Sequence, residues 1–120
     1  MRYNIDYSPE SIAALNQIAE YLAERSAIAP FSVIGSIRET IESIGDMPRI
    51  GQVVEKRPRL RQFVEDKYKY WVYYEIIEDK QLVRIAEVIH SSREKEPILD
   101  KYLAENRLEL ELEEEDEYER

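Results

Sequence analysis

The 120-residue chain contains no cysteine. That excludes disulfides, thiolate metal sites and a thiol nucleophile. It has a single histidine, His90, and its carboxylates are scattered, so the residues present argue for no metal site and no cofactor. Three glycines are too few for a glycine-rich phosphate loop. No serine, histidine and aspartate fall in an order that suggests a triad. The apolar runs are far shorter than the ~18–20 residues a membrane span needs. The first stretch, MRYNIDYSPES, has no apolar segment of the secretory kind. The expectation is a soluble, cytoplasmic protein with no membrane association.

What the chain has in quantity is charge, unevenly placed. The formal net charge is -9. Residues 1–96 hold 14 basic and 16 acidic side chains, whereas residues 97–120 hold 3 and 10. The acidity therefore belongs to the tail, and the body is close to neutral. A chain of this length buries about two-thirds of its unfolded surface and makes one domain. The expected division is a domain over 1–96 and a short helix with an acidic, flexible tail over 97–120.

Periodicity sets the expected elements. Tyr3, Ile5 and Tyr7 alternate with Asn4 and Asp6, which predicts a strand over 2–7. Ser8 suits a helix N-cap, Pro9 the first helical position, and Glu10 the positive helix end. A helix is predicted from Pro9 to Glu24, with Ile12, Leu15, Ala19 and Leu22 on one face. A second is predicted from Pro30 to Ser43, with Phe31, Ile34, Ile37 and Ile41 in one stripe and Gly45 as its stop signal. The stretch 45–58 reads as a loop. Residues 59–64, 68–77 and 81–90 read as three strands rich in Tyr, Val and Ile, joined by two short EDK turns. On the central strand Tyr68, Tyr70, Val72, Tyr74 and Ile76 share one face. Lys69, Trp71, Tyr73, Glu75 and Ile77 share the other, which is expected to be partly open. The fold class is α+β: an N-terminal strand, a helix hairpin and a three-stranded antiparallel meander. A short helix over 97–108 follows. Beyond it Leu108, Leu110 and Leu112 alternate with glutamates, a pattern that suits an edge strand formed against a partner.

That order, with the stretches YSPESIAALNQIAEYLAE, IGDMPRIGQ, RLRQF, YKYWVYYEI and VRIAEVIHSSRE, resembles the RelE/ParE superfamily of toxins from type II toxin–antitoxin systems. The resemblance spans about residues 2–95. It implies a plasmid-stabilising or related growth-inhibiting toxin, neutralised by a cognate antitoxin that wraps its helices and sheet. Assembly as a homodimer or a toxin–antitoxin heterotetramer goes with it. One branch resembles ParE and inhibits DNA gyrase; the other resembles RelE and cuts mRNA, usually on the ribosome; a third reading is an inactive relative that only binds an antitoxin. Leu15, Ile18, Leu22 and Tyr73 are the residues the resemblance points to for antitoxin binding.

RNA cleavage without a metal needs a base, an acid and cations for the phosphorane charge. The candidates are Arg57, Arg59, Arg61, Lys67, Lys69, Arg84, His90 and Arg93, with Arg61 and His90 as the catalytic pair if the chain is a nuclease. Arg59 and Arg61, two apart, are expected to project from one strand face and clamp a phosphate. Arg61 lies in the LR that the resemblance marks at this strand's start. An imidazole is the side chain suited to acid–base work near neutral pH, yet a histidine at a strand end is more often hydrogen-bonded structure, and for His90 that reading is preferred. The near-neutral body departs from the basic character of RelE-like nucleases and favours the gyrase branch. One further expectation is that 97–120 covers the Arg57–Arg61 strand as a built-in antitoxin mimic.

Overall fold

The computed structural model describes residues 2–25 and 29–107. The predicted tail from Leu108 onward lies outside the described residues. Strand β1 (Asn4–Tyr7) leads into helix α1 (Pro9–Arg25) and helix α2 (Pro30–Asp46). A 3-10 turn at Pro48–Ile50 precedes β2 (Gln52–Val54), β3 (Arg57–Glu65), β4 (Tyr70–Ile77) and β5 (Leu82–His90), and α3 (Glu96–Glu105) closes the described chain. The five strands form one sheet in the order β1-β5-β4-β3-β2. The pairs among β2 to β5 are antiparallel, and β1 lies parallel to the first half of β5, Asn4 opposite Leu82 and Tyr7 opposite Ile85.

The helix hairpin covers one sheet face. Ile37, Ile41 and Ile44 stand on one stripe of α2 and are fully buried. They meet Val72 and Tyr74 of β4 and Val83, Ile85 and Val88 of β5. Each such aliphatic side chain contributes roughly 1.5–3 kcal/mol on burial. That outweighs the missing N-cap of α2, where Ala29 offers no side-chain acceptor, a loss of about 1 kcal/mol. α1 is capped as expected: the Ser11 N–H donates to Ser8 Oγ at 3.0 Å, and the same hydroxyl donates to the Ala86 carbonyl at 2.8 Å. One cap thus starts the helix and ties it to β5.

The second face departs from expectation. It is covered by α3, not partly open. Leu99 and Tyr102 are fully buried and join Leu60, Tyr73, Ala86 and Ile89 in a second core. Three smaller corrections follow. Gly45 does not stop α2, which runs through it to Asp46. Its use is proximity: a Cβ there would stand 2.9 Å from Ile5 Cδ1. The expected loop over 45–58 contains the short edge strand β2, so the meander has four strands. Finally, β5 carries an irregularity: Tyr73 faces Glu87 and Tyr74 faces Ile85, so Ala86 is an extra residue. The bulge shifts the pleat by one, which puts Val88 on the hairpin side with Val83 and Ile85, and Ile89 under α3.

Candidate functional site

The basic residues do not gather into one anion site. The Arg57 guanidinium makes a two-pronged pair with Asp100 of α3, Nε to Oδ1 at 2.8 Å and Nη2 to Oδ2 at 3.0 Å. Arg59 donates to both oxygens of Glu75, at 2.5 and 3.2 Å, and to the Asn106 carbonyl. Glu75 is buried and also accepts from the Tyr102 hydroxyl at 2.6 Å. Arg61 Nη1 donates to the Gly51 carbonyl at 2.8 Å. The expected Arg59–Arg61 clamp is therefore absent: the irregular register between Val53 and Val54 separates their roles, and each guanidinium has its own acceptor. The two do border a cleft of about 500 Å³ with Arg49, but Glu75, Glu78 and Asp79 line it as well. Its charges cancel. Lys69 pairs with Asp66 at 3.0 Å and Arg84 with Asp6 at 3.1 Å.

His90 closes its strand. The Ser92 N–H donates to Nδ1 at 3.1 Å, and the Ser92 hydroxyl lies 2.8 Å from the same nitrogen. A neutral ring in this geometry carries its proton on Nε2. Its edge meets the Tyr70 ring at 4.9 Å between centroids. Arg61 and His90 are not neighbours. They face Tyr74 and Tyr70 of β4 from opposite sides. At about 3.3 Å per residue and about 4.8 Å per strand, their backbones stand roughly 16 Å apart.

A larger recess is elsewhere. A groove enclosing about 1020 Å³ runs between α1 and α3 along the second half of β5. β1 ends opposite Ile85, so among the described residues β5 beyond that point has no strand on this side. Ala14, Ile18 and Leu22 form the α1 wall, Ile98, Lys101 and Tyr102 the α3 wall, and His90 and Arg93 the far end. Ile18 and Leu22 thus border the groove while also packing, with Leu15, into the first core. Tyr73, expected beside them, lies under α3 instead.

The groove holds an acidic pair that periodicity did not single out. Burial, first, and the neighbouring Glu10, second, push the Glu87 carboxyl up to about 7. Arg93 and Lys101 pull it back only in part. Glu10 Oε2 accepts from Asn106 Nδ2 at 2.7 Å, while its buried Oε1 has no hydrogen-bond partner among the described residues. The sequence signal was present: Glu87 is the one acid in the apolar run from Ile85 to Ile89. Among the described residues no cluster of three or more histidine, cysteine or carboxylate side chains is arranged to hold a metal. No described helix is long and apolar enough to cross a membrane.

Known proteins place this arrangement. No curated protein matches the chain in sequence. In structure it resembles the chromosomal ParDE toxin–antitoxin system of P. aeruginosa, with a TM-score of 0.64 at 13% identity over 74% of this chain and 96% of that one. A RelBE complex from Mycobacterium tuberculosis gives 0.59 at 14% identity over 78% and 95%. The E. coli RelBE complex gives 0.57 at 15% identity over 76% and 99%. At these identities the likeness is one of fold. The family model for the ParE toxin of the type II parDE system matches residues 5–95. The chain belongs to the ParE family of type II toxin–antitoxin toxins.

Proposed function

We propose that this toxin arrests growth in the cytoplasm by binding DNA gyrase, without covalent chemistry of its own, and that a cognate antitoxin neutralises it. The observation that carries this reading is the placement of Arg61 and His90. Phosphodiester cleavage requires acid, base and charge-stabilising groups around one phosphate. Here the two residues stand roughly 16 Å apart by strand spacing, Arg61 bonded to a backbone carbonyl and His90 to Ser92. Four of the candidate cations, Arg57, Arg59, Lys69 and Arg84, are committed to Asp100, Glu75, Asp66 and Asp6. Membership of the ParE family points the same way. The antitoxin is the natural occupant of the groove between α1 and α3, where Ile18 and Leu22 offer apolar anchors. The direct test sets purified toxin against gyrase supercoiling and against ribosome-bound mRNA in parallel. Loss of supercoiling with intact mRNA supports the reading, and mRNA cleavage with active gyrase overturns it.

A further inference from the structure

The slot beside β5 has the form of a missing strand. Its floor is the edge of Glu87–His90, which no strand of the described residues covers once β1 has ended opposite Ile85. One wall is apolar, from Ala14, Ile18 and Leu22 of α1; the other presents Lys101 of α3 and ends at Arg93. An edge flanked in this way accepts an extended segment by main-chain hydrogen bonding, with alternate side chains directed to the two walls.

The chain itself supplies a segment of that pattern. Leu108, Leu110 and Leu112 alternate with Glu109 and Glu111. The segment begins at the slot's entrance: Asn106 is held to Glu10 at 2.7 Å, and Glu10 lies on the groove's lining. Five residues of strand extend about 16 Å, enough to run the length of Glu87–His90. The charges agree. Leucines toward α1 would meet the apolar wall, and glutamates toward α3 would meet Lys101 and Arg93. The acidic run of 113–117 would then emerge at the His90 end, near Arg25, Lys67 and Arg93. None of these three forms an ion pair among the described residues. This segment is also beyond the family's span, since the match ends at residue 95.

We propose that residues 108–112 dock into the slot as a sixth strand, parallel to β5, so that the toxin carries its own competitor for whatever binds there. Tethering two residues from Asn106 keeps the local concentration of the segment high without strong contacts. The inference is independent of the toxin's cellular target. Of the expected cover of the Arg57–Arg61 strand by residues 97–120, α3 supplies a part, with Asp100 on Arg57 and Tyr102 on the Glu75 partner of Arg59; the slot is a second place, for residues 108–112.

The test uses the full chain. Since it lacks cysteine, Glu115→Cys takes a single nitroxide label. Docking predicts that the amide signals of Ile89–Arg93 and of Arg25 lose most of their intensity in the labelled protein. Those near Met47 and Val53, on the opposite sheet edge, are unchanged. The loss does not depend on protein concentration, and it disappears when Leu110→Asp and Leu112→Asp are added. Unchanged spectra elsewhere verify the fold. Broadening spread evenly over the surface, broadening that fades on dilution, or broadening that survives the aspartates each overturns the proposal.

Discussion

Replacing Glu87 with glutamine removes a carboxyl that the groove holds in an unfavourable setting. Desolvation is the larger cause and Glu10 the next, and together they raise its pKa from 4.5 to about 7. A shift of that size corresponds to at most about 3.5 kcal/mol, at roughly 1.4 kcal/mol per unit. The groove is open on one side and Arg93 and Lys101 are near, so about 1–2 kcal/mol is the realistic figure. The sign follows from proton binding. The folded carboxyl holds its proton more tightly than the unfolded one. Between about pH 4.5 and 7 the folded chain therefore carries more protons, and stability falls as the pH rises through that window. The penalty is fully present above about pH 7 and absent below about pH 4.5. Glutamine cannot ionise. Glu87→Gln should be more stable than the parent by about 1–2 kcal/mol at pH 8, and the two should converge toward pH 4.5. Urea unfolding at a series of pH values measures both. Equal stability at pH 8, or a difference that does not change with pH, would show that Glu87 is not a desolvated member of the groove.

Two further substitutions test the packing on either side of the sheet. Tyr102→Phe keeps the buried ring but leaves Glu75 without its 2.6 Å donor; thermal unfolding should register a loss of about 1–3 kcal/mol. Gly51→Ala brings a Cβ within 2.6 Å of the Gln62 carbonyl and of Tyr74 Oη. It should cost about 1–3 kcal/mol in the same measurement, because Tyr74 is fully buried and bonded to the Pro48 carbonyl at 2.6 Å and cannot step aside.

Much of the fold was legible because its signals are local. The Ser8–Pro9 start of α1, the isoleucine stripe of α2 and the alternation along β4 each mark an element without outside help. The misreadings share a cause, which is that they depend on residues far apart in sequence. Gly45 has the composition of a helix stop, but Ile5 approaching from β1 is what requires it. β2 is three residues long and holds no alternation of its own; its pairing with β3 makes it a strand. Glu75 reads as solvent-facing until Arg59 and Tyr102 are brought to it. The bulge at Ala86 is silent in the sequence, yet it decides where the site residues point. Strict alternation from Val83 would put Val88 with Ala86; the extra residue places Val88 on the hairpin side and His90 against Tyr70. The candidate cations were legible as residues but not as a site, since composition does not say which carboxylate each will meet. The groove was legible only in part, through Ile18 and Leu22.

The central claim is that this chain arrests growth by binding, not by cutting RNA. The measurement that tests it most directly is induction of the unneutralised toxin in a bacterial host, with DNA and protein synthesis followed by pulse labelling over the first minutes. The Arg61→Ala, His90→Ala double variant runs beside it. The account predicts that DNA synthesis falls first and that the double variant, if equally abundant and folded, does the same. If protein synthesis falls first and the double variant is harmless, Arg61 and His90 belong to a nuclease and the account is contradicted.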